Sequence, residues 1–284
     1  MRLKLVRTLF TLAVLLYATA TASVAFSKTN EVYADPGLVN QDITIEVPGN
    51  FPGGFQSQCK TGETINSIQA ALSCLSDTVI SADAIVTIEI LKDDVNDSGN
   101  MIDIKHANGS QIHIIGDCQN GQACRLHFND SGVVVEDHHV LGLLKNVTII
   151  GNNEKARYGI LSDHGSSIVL GDKVTVQGFQ YGINAFYDSN IRVDHQGSTV
   201  QAVNNFSKGF DIETSSSVEI PGAQAENNGT VDFYIISNAS VHIDHAIGGT
   251  MEVKYNGFVS CDAAQLKSVP VTSFGGQVYP VGCV

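Results

Sequence analysis

Tryptophan is absent from the 284-residue sequence and proline occurs only 6 times. Beyond the first 25 residues, arginine occurs only at Arg125, Arg157 and Arg192. No cysteine pair has C-x-x-C spacing, which weighs against a zinc site. Long apolar runs are missing too. The run Leu9–Tyr17 is shorter than the roughly 20 residues a membrane helix needs. It follows Arg2, Lys4 and Arg7 and precedes the small residues Ala20-Thr21-Ala22 and Ser23-Val24-Ala25. Residues 1–25 are therefore expected to be a cleaved signal peptide, with an uncleaved anchor as the alternative, and the mature chain to be secreted with no membrane span. Basic charge is scarce: the formal net charge is −13, and −16 once a signal with three basic and no acidic residues is removed. Such a chain attracts neither nucleic acid nor an anionic membrane. Neutral or cationic glycans are left as partners.

Six cysteines are present: Cys59, Cys74, Cys118, Cys124, Cys261 and Cys283. An even number in an exported chain reads as disulfides. Seven Asn-x-Ser/Thr triplets, at Asn96, Asn108, Asn129, Asn146, Asn205, Asn228 and Asn238, read either as glycan acceptors or as by-products of turns rich in Asn, Gly and Ser.

An internal repeat carries the main signal. The thirteen-residue windows Tyr158–Leu170, Tyr181–Val193, Lys208–Ile220 and Val231–Ile243 align without a gap, their starts 23, 27 and 23 residues apart. Ile102–Ile114 is placed in the same frame. The third column reads Ile104, Ile160, Ile183, Phe210, Phe233; the eleventh Ile112, Ile168, Ile191, Val218, Val241; the thirteenth Ile114, Leu170, Val193, Ile220, Ile243. Apolar residues two apart indicate a strand with one buried face. The ninth column, Ser110, Ser166, Ser189, Ser216, Ala239, is always small and suggests an inward stack at a corner. A third strand is expected at Val174–Val176, Val200–Ala202, Ala223–Ala225 and Met251–Val253. Coils of this length with three short strands predict an all-β, right-handed parallel β-helix.

The ends of such a stack need closure. Ile65, Ile68, Leu72 and Leu75 recur at helical spacing after Thr61 and Thr64, so residues 64–75 predict a capping helix. Residues 259–284 break the repeat and are expected to form a C-terminal cap. The expected organisation is thus signal peptide 1–25, N-terminal extension 26–63, β-helix 64–258 and cap 259–284. Because each coil touches only its neighbours, the cysteines should pair locally, as Cys59–Cys74, Cys118–Cys124 and Cys261–Cys283.

Three stretches, Thr64–Leu75 (TINSIQAALSCL), Ile80–Gly116 and Lys145–Asn152 (KNVTIIGN), together resemble the pectin-lyase-like superfamily of parallel β-helix proteins, including bacterial and phage tail-associated members. The resemblance covers residues 64 to 258. It implies the fold, and for activity only a choice among lyases, hydrolases, esterases, epimerases and non-catalytic fibres. The Asn-Thr-Asp, Asp-Asp and Gly-His-Gly motifs of polygalacturonases are absent, as are the Trp-x-Asp-His rung and Arg-rich strand of pectate lyases. Asp137-His138-His139 keeps only the Asp-His fragment.

Three groups of residues could carry chemistry. Asp-His pairs recur at 137–138, 163–164, 194–195 and 244–245. His195 and His245 would lie two rungs apart, about 9.6 Å, too far to share an ion whose ligands sit about 2 Å away. They read as solvated turn residues, and no metal site or cofactor is expected. The twelfth column places Arg192, Glu219 and His242 on successive outward rungs: a carboxylate between two bases is either a catalytic acid–base candidate or a cross-strand charge ladder. A third face gathers Asp163, His164, Tyr187, Asp188, Asp211 and Glu213 beside one turn-bearing strip, the residue types of a sugar-binding groove. The acidic chain would take a polyuronate only through bridging calcium, so a neutral glycan is the expected ligand. The functional expectation is a secreted, polysaccharide-interacting protein, either a binder or a polysaccharide lyase or glycoside hydrolase. A non-catalytic structural or adhesion solenoid is the alternative. Clustering of these groups on one face would favour the first; scatter would favour the second.

Overall fold

A computed structural model describes residues 37–96, 99–118, 121–195, 197–262, 265–266 and 270–279. The expected signal peptide and Cys283 lie outside them.

Alternation of apolar residues decides the strands, and long parallel sheets result. The first sheet has eight strands, running from Ile102–Ile104 through Val133–Val135, Tyr158–Ser162, Tyr181–Ala185, Lys208–Ile212, Val231–Ile235 and Met251–Lys254 to Val271–Ser273. The second has ten, from Ile43–Val47 to Gln277–Tyr279, and the third seven, from Cys124–Phe128 to Gln265–Leu266. Within each sheet the neighbours are successive passes of the chain, so the protein is an all-β stack of coils. The inward columns are fully buried: Ile160, Ile183, Phe210 and Phe233 in the first sheet, and Ile168, Ile191, Val218 and Val241 in the second. Ser166, Ser189, Ser216 and Ala239 are buried as well, with the Ser189 amide donating to Ser216 Oγ at 3.2 Å.

The earliest window is in frame at its end, where Ile114 aligns with Leu170 through Leu144, but not at its start. Ile102, not Ile104, aligns with Ile160, through Val133, and Ser110 is exposed. An intervening coil holds Val133–Val135 and Val140–Lys145, and the latter carries an irregularity between Leu141 and Leu144. Each of the first two coils is one residue longer between these strands than the coil that follows it, so the offset builds up in two steps. Met251–Val253 belongs to the first sheet, paired with Phe233–Ile235, whereas the third-sheet strand of that coil is the short Ile247–Gly248. The coil is abbreviated, so its successor arrives early.

The stack also extends beyond the repeat. Ile43–Val47 pairs with Val86–Ile90, which puts part of the expected N-terminal extension inside the second sheet. Phe258–Asp262, Val271–Ser273 and Gln277–Tyr279 continue the sheets through the segment expected to be only a cap. The helix is confined to Ile68–Leu75 and buries Ile68, Ala71, Leu72, Cys74 and Leu75. Its N-cap is Ser67, whose side chain accepts from the Ala70 amide at 3.1 Å, rather than Thr61 or Thr64. Thr64–Ile65 is instead a short strand antiparallel to Gly49–Asn50. Disulfides join Cys59 to Cys74 and Cys118 to Cys124, and Cys261 is disulfide-bonded.

Asparagines tie coil to coil. Asn205 Nδ2 and its amide both donate to Asn228 Oδ1 at 3.0 Å. Asn228 Nδ2 in turn donates to Ala202 O at 2.9 Å and to Asp232 Oδ1 at 2.7 Å. Asn96 and Asn146 likewise donate to backbone carbonyls of other coils, at His127 and Gly116. Between the first and second sheets the chain turns through two consecutive left-handed residues, in successive coils 137–138, 164–165, 187–188, 214–215, 237–238, 255–256 and 274–275. Left-handed backbone costs a non-glycine residue roughly 1 kcal/mol or more. Here a continuous ladder compensates: the second residue of each pair donates its amide to the first residue of the next, as His138 to His164, Gly165 to Tyr187, Asp188 to Thr214 and Ser215 to Ser237.

Candidate functional site: a cleft on the first sheet

The outward face of the first sheet is set by a column of small residues. Tyr158, Tyr181 and Lys208 pair across strands, as do Ile160, Ile183 and Phe210. The residue between them is glycine, and a Cβ on Gly159 would lie 2.1 Å from Val176 Cγ1. A Cβ on Gly209 would lie 2.6 Å from Asn228 Nδ2. In these three coils the second and third columns therefore both face inward, and Tyr158, Tyr181 and Lys208 are turned outward and half-buried, whereas Val231 in the next coil is buried. Strict period-two alternation would bury Tyr158, Tyr181 and Lys208 beside Ile160, Ile183 and Phe210.

These side chains line a cleft of ≈ 370 Å³ together with Arg157, Asp163, Phe186, Tyr187, Asp211, Glu213 and Thr214. Tyr158 and Tyr181 stack with ring centroids 5.6 Å apart, and Phe186 meets Tyr158 edge-on at 5.9 Å. Arg157 lies over the Tyr158 ring at 4.5 Å. Lys208 Nζ sits 3.7 Å from the Tyr234 centroid and 5.5 Å from that of Tyr181. It donates to Asp211 Oδ1 at 2.8 Å and to Glu213 Oε1 at 3.3 Å. Burial pulls the Lys208 ammonium down, but the two carboxylates outweigh it and hold its pKa above the usual range. Asp211 is only 2 % exposed. Burial pushes its carboxyl up to about 7 against the Lys208 ammonium, and Glu213 adds to the rise.

Of the groove residues expected from sequence, Asp163, Tyr187, Asp211 and Glu213 line this cleft. His164 stacks on Tyr187 at 5.0 Å and pairs through Nδ1 with Asp163 at 3.2 Å. Asp188 occupies the exposed corner next to Tyr187. Arg157, Tyr158, Tyr181, Phe186 and Lys208 were not anticipated. The aromatic and basic first column of the windows was the signal that could have found three of them.

The other candidates stand apart. Arg192, Glu219 and His242 occupy one column of the second sheet, all exposed. No salt bridge joins Arg192 to Glu219 among the described residues. All three side chains are exposed to solvent, so a ladder contribution is expected. Glu219→Gln should shift stability by less than about 1 kcal/mol in denaturant titration. A hundredfold loss of any turnover in that folded variant would instead make the column catalytic. Among the described residues no group of three or more His, Cys, Asp or Glu side chains converges to hold a metal ion.

Comparison with family models, with curated proteins and with solved structures found no match.

Proposed function

We propose that the protein is a secreted polysaccharide-interacting solenoid that binds an extended, uncharged glycan in the cleft on the first sheet. One observation carries this reading: aromatic rings and hydrogen-bonding groups from three successive coils line one cleft on the outward side of the first sheet. Coils stack about 4.8 Å apart, so a chain ligand lying across them meets a new set of groups at each coil. Tyr181, Phe186 and Tyr187 offer faces for apolar sugar surfaces, and Asp163 and Glu213 accept from hydroxyls. The carboxylates Asp211 and Glu213 share one ammonium, so the floor carries little net attraction for an acidic polymer. We read the winding as right-handed, the hand that parallel crossovers take almost without exception, and the helix Ile68–Leu75 as its N-terminal closure.

The test is a panel of neutral oligosaccharides titrated against wild type and a Tyr181→Ala, Phe186→Ala double variant. Stacking contacts of about 0.5–1.5 kcal/mol each predict a loss of about tenfold in affinity. Circular dichroism should be unchanged. Equal affinity in the folded double variant would move the ligand elsewhere and leave a structural rod as the better reading.

A further inference from the structure

We propose that the cleft takes up one proton as it binds an uncharged glycan, and that Asp211, Glu213 and Lys208 are the unit that holds it. This rests on the binding reading above.

The geometry supplies the reason. Two carboxyls and one ammonium meet at the strand Lys208–Ile212 and the residue just after it, with Lys208 Nζ in contact with both acids. With both acids ionised the unit carries a net charge of −1; with one proton added it is neutral. Asp211 is already buried, and the Tyr181 and Tyr234 rings flank the ammonium. A ligand filling the cleft replaces water over this unit. Removing water penalises the charged state, so the bound form holds the proton to higher pH than the free form. Solvent acid supplies the proton, and an O–H bond forms on the Asp211 carboxyl, whose Oδ1 already accepts from Lys208.

The other cations near this unit, Arg157 and Lys254, are already engaged by other groups. Toward the strand Tyr158–Ser162, Asp163 is paired with His164, and Arg157 is held over the Tyr158 ring. Toward Tyr181–Ala185 the facing groups are Tyr181 and, at the corner, Tyr187 and Asp188. On the other side Tyr234 faces it, and beyond lies Lys254, occupied by Glu252 at 2.6 Å. The burial that pushes Asp211 up to about 7 in the free protein is the same effect, partly developed.

Linkage fixes the sign. Where binding raises an acid's pKa, affinity is highest below the free value and falls as pH rises through the bound one, by at most tenfold per pH unit for one proton. Two measurements test this on the full mature chain. First, the Asp211 carboxyl carbon, observed by NMR with selective labelling and assigned with Asp211→Asn, should titrate near neutral pH in the free protein. A midpoint in the ordinary aspartate range overturns the proposal. Second, the neutral oligosaccharide panel is titrated calorimetrically from pH 5 to 9 in two buffers of different ionisation enthalpy. Proton uptake and affinity that falls with pH are expected in wild type, and both should vanish in a folded Asp211→Asn variant. Flat affinity, or affinity rising with pH because hydroxyls donate to the ionised acids, overturns the proposal while sparing the binding reading. If no oligosaccharide binds at any pH, the binding reading fails and the inference goes with it.

Discussion

Phe210→Ala should destabilise the protein by about 4 kcal/mol, within the range for truncating a fully buried aromatic side chain. Phe210 has no exposed surface and stacks on Phe233 of the next coil, ring centroids 5.2 Å apart and nearly parallel at 6°. Its other neighbour in the column is Ile183. Removing the ring opens a void between two rigid coils whose backbones are fixed by parallel hydrogen bonds, so little collapse can refill it. The measurement is the urea midpoint with its slope, read by far-UV circular dichroism. Phe210→Leu is the companion variant and should recover much of the loss. If Phe210→Ala cost less than about 1 kcal/mol, the close-packed interior between these coils would be wrong.

Asp232→Ala should cost about 3 kcal/mol although it removes only a small side chain. Asp232 stands where the preceding coils have Gly159, Gly182 and Gly209, and it terminates the asparagine ties. Its Oδ1 accepts from Asn228 Nδ2 at 2.7 Å, and its Oδ2 accepts from the Thr250 amide at 2.7 Å and from Thr250 Oγ1 at 3.2 Å. The side chain is 4 % exposed, so alanine would leave several donors without water or partner. Asp232→Asn keeps one acceptor and should fall between alanine and wild type. A loss in Asp232→Ala below that of Asp232→Asn would show that burial of the charge, not loss of acceptors, dominates at this position.

Much of this architecture is legible in the amino-acid order because it depends on local period. The eleventh and thirteenth columns recur at strict spacing, and Ile168, Ile191, Val218 and Val241 do stack. The disulfides Cys59–Cys74 and Cys118–Cys124 follow from coils that touch only neighbours. What is not legible depends on lengths and on three-dimensional crowding. The extra residue in Val140–Lys145 and the abbreviated coil before Met251 change register without changing composition. The outward turn of Tyr158, Tyr181 and Lys208 is dictated by interior atoms such as Val176 Cγ1 and Asn228 Nδ2, which come from other strands. Half the cleft was therefore visible as a strip of turn residues, and its aromatic and basic wall was not.

The left-handed corner has an evolutionary reading. Its residues are exposed or half-exposed, and their amides are already satisfied from coil to coil. The conformational penalty there belongs to the backbone and is similar for most side chains. Asp137, His164, Tyr187, Thr214, Ser237, Tyr255 and Phe274 already occupy equivalent places with unrelated chemistry. The corner is thus an edge of varied side chains on a repeating backbone frame. Mutational drift can rewrite recognition one coil at a time along the rim of the cleft, while the interior columns stay under packing constraint.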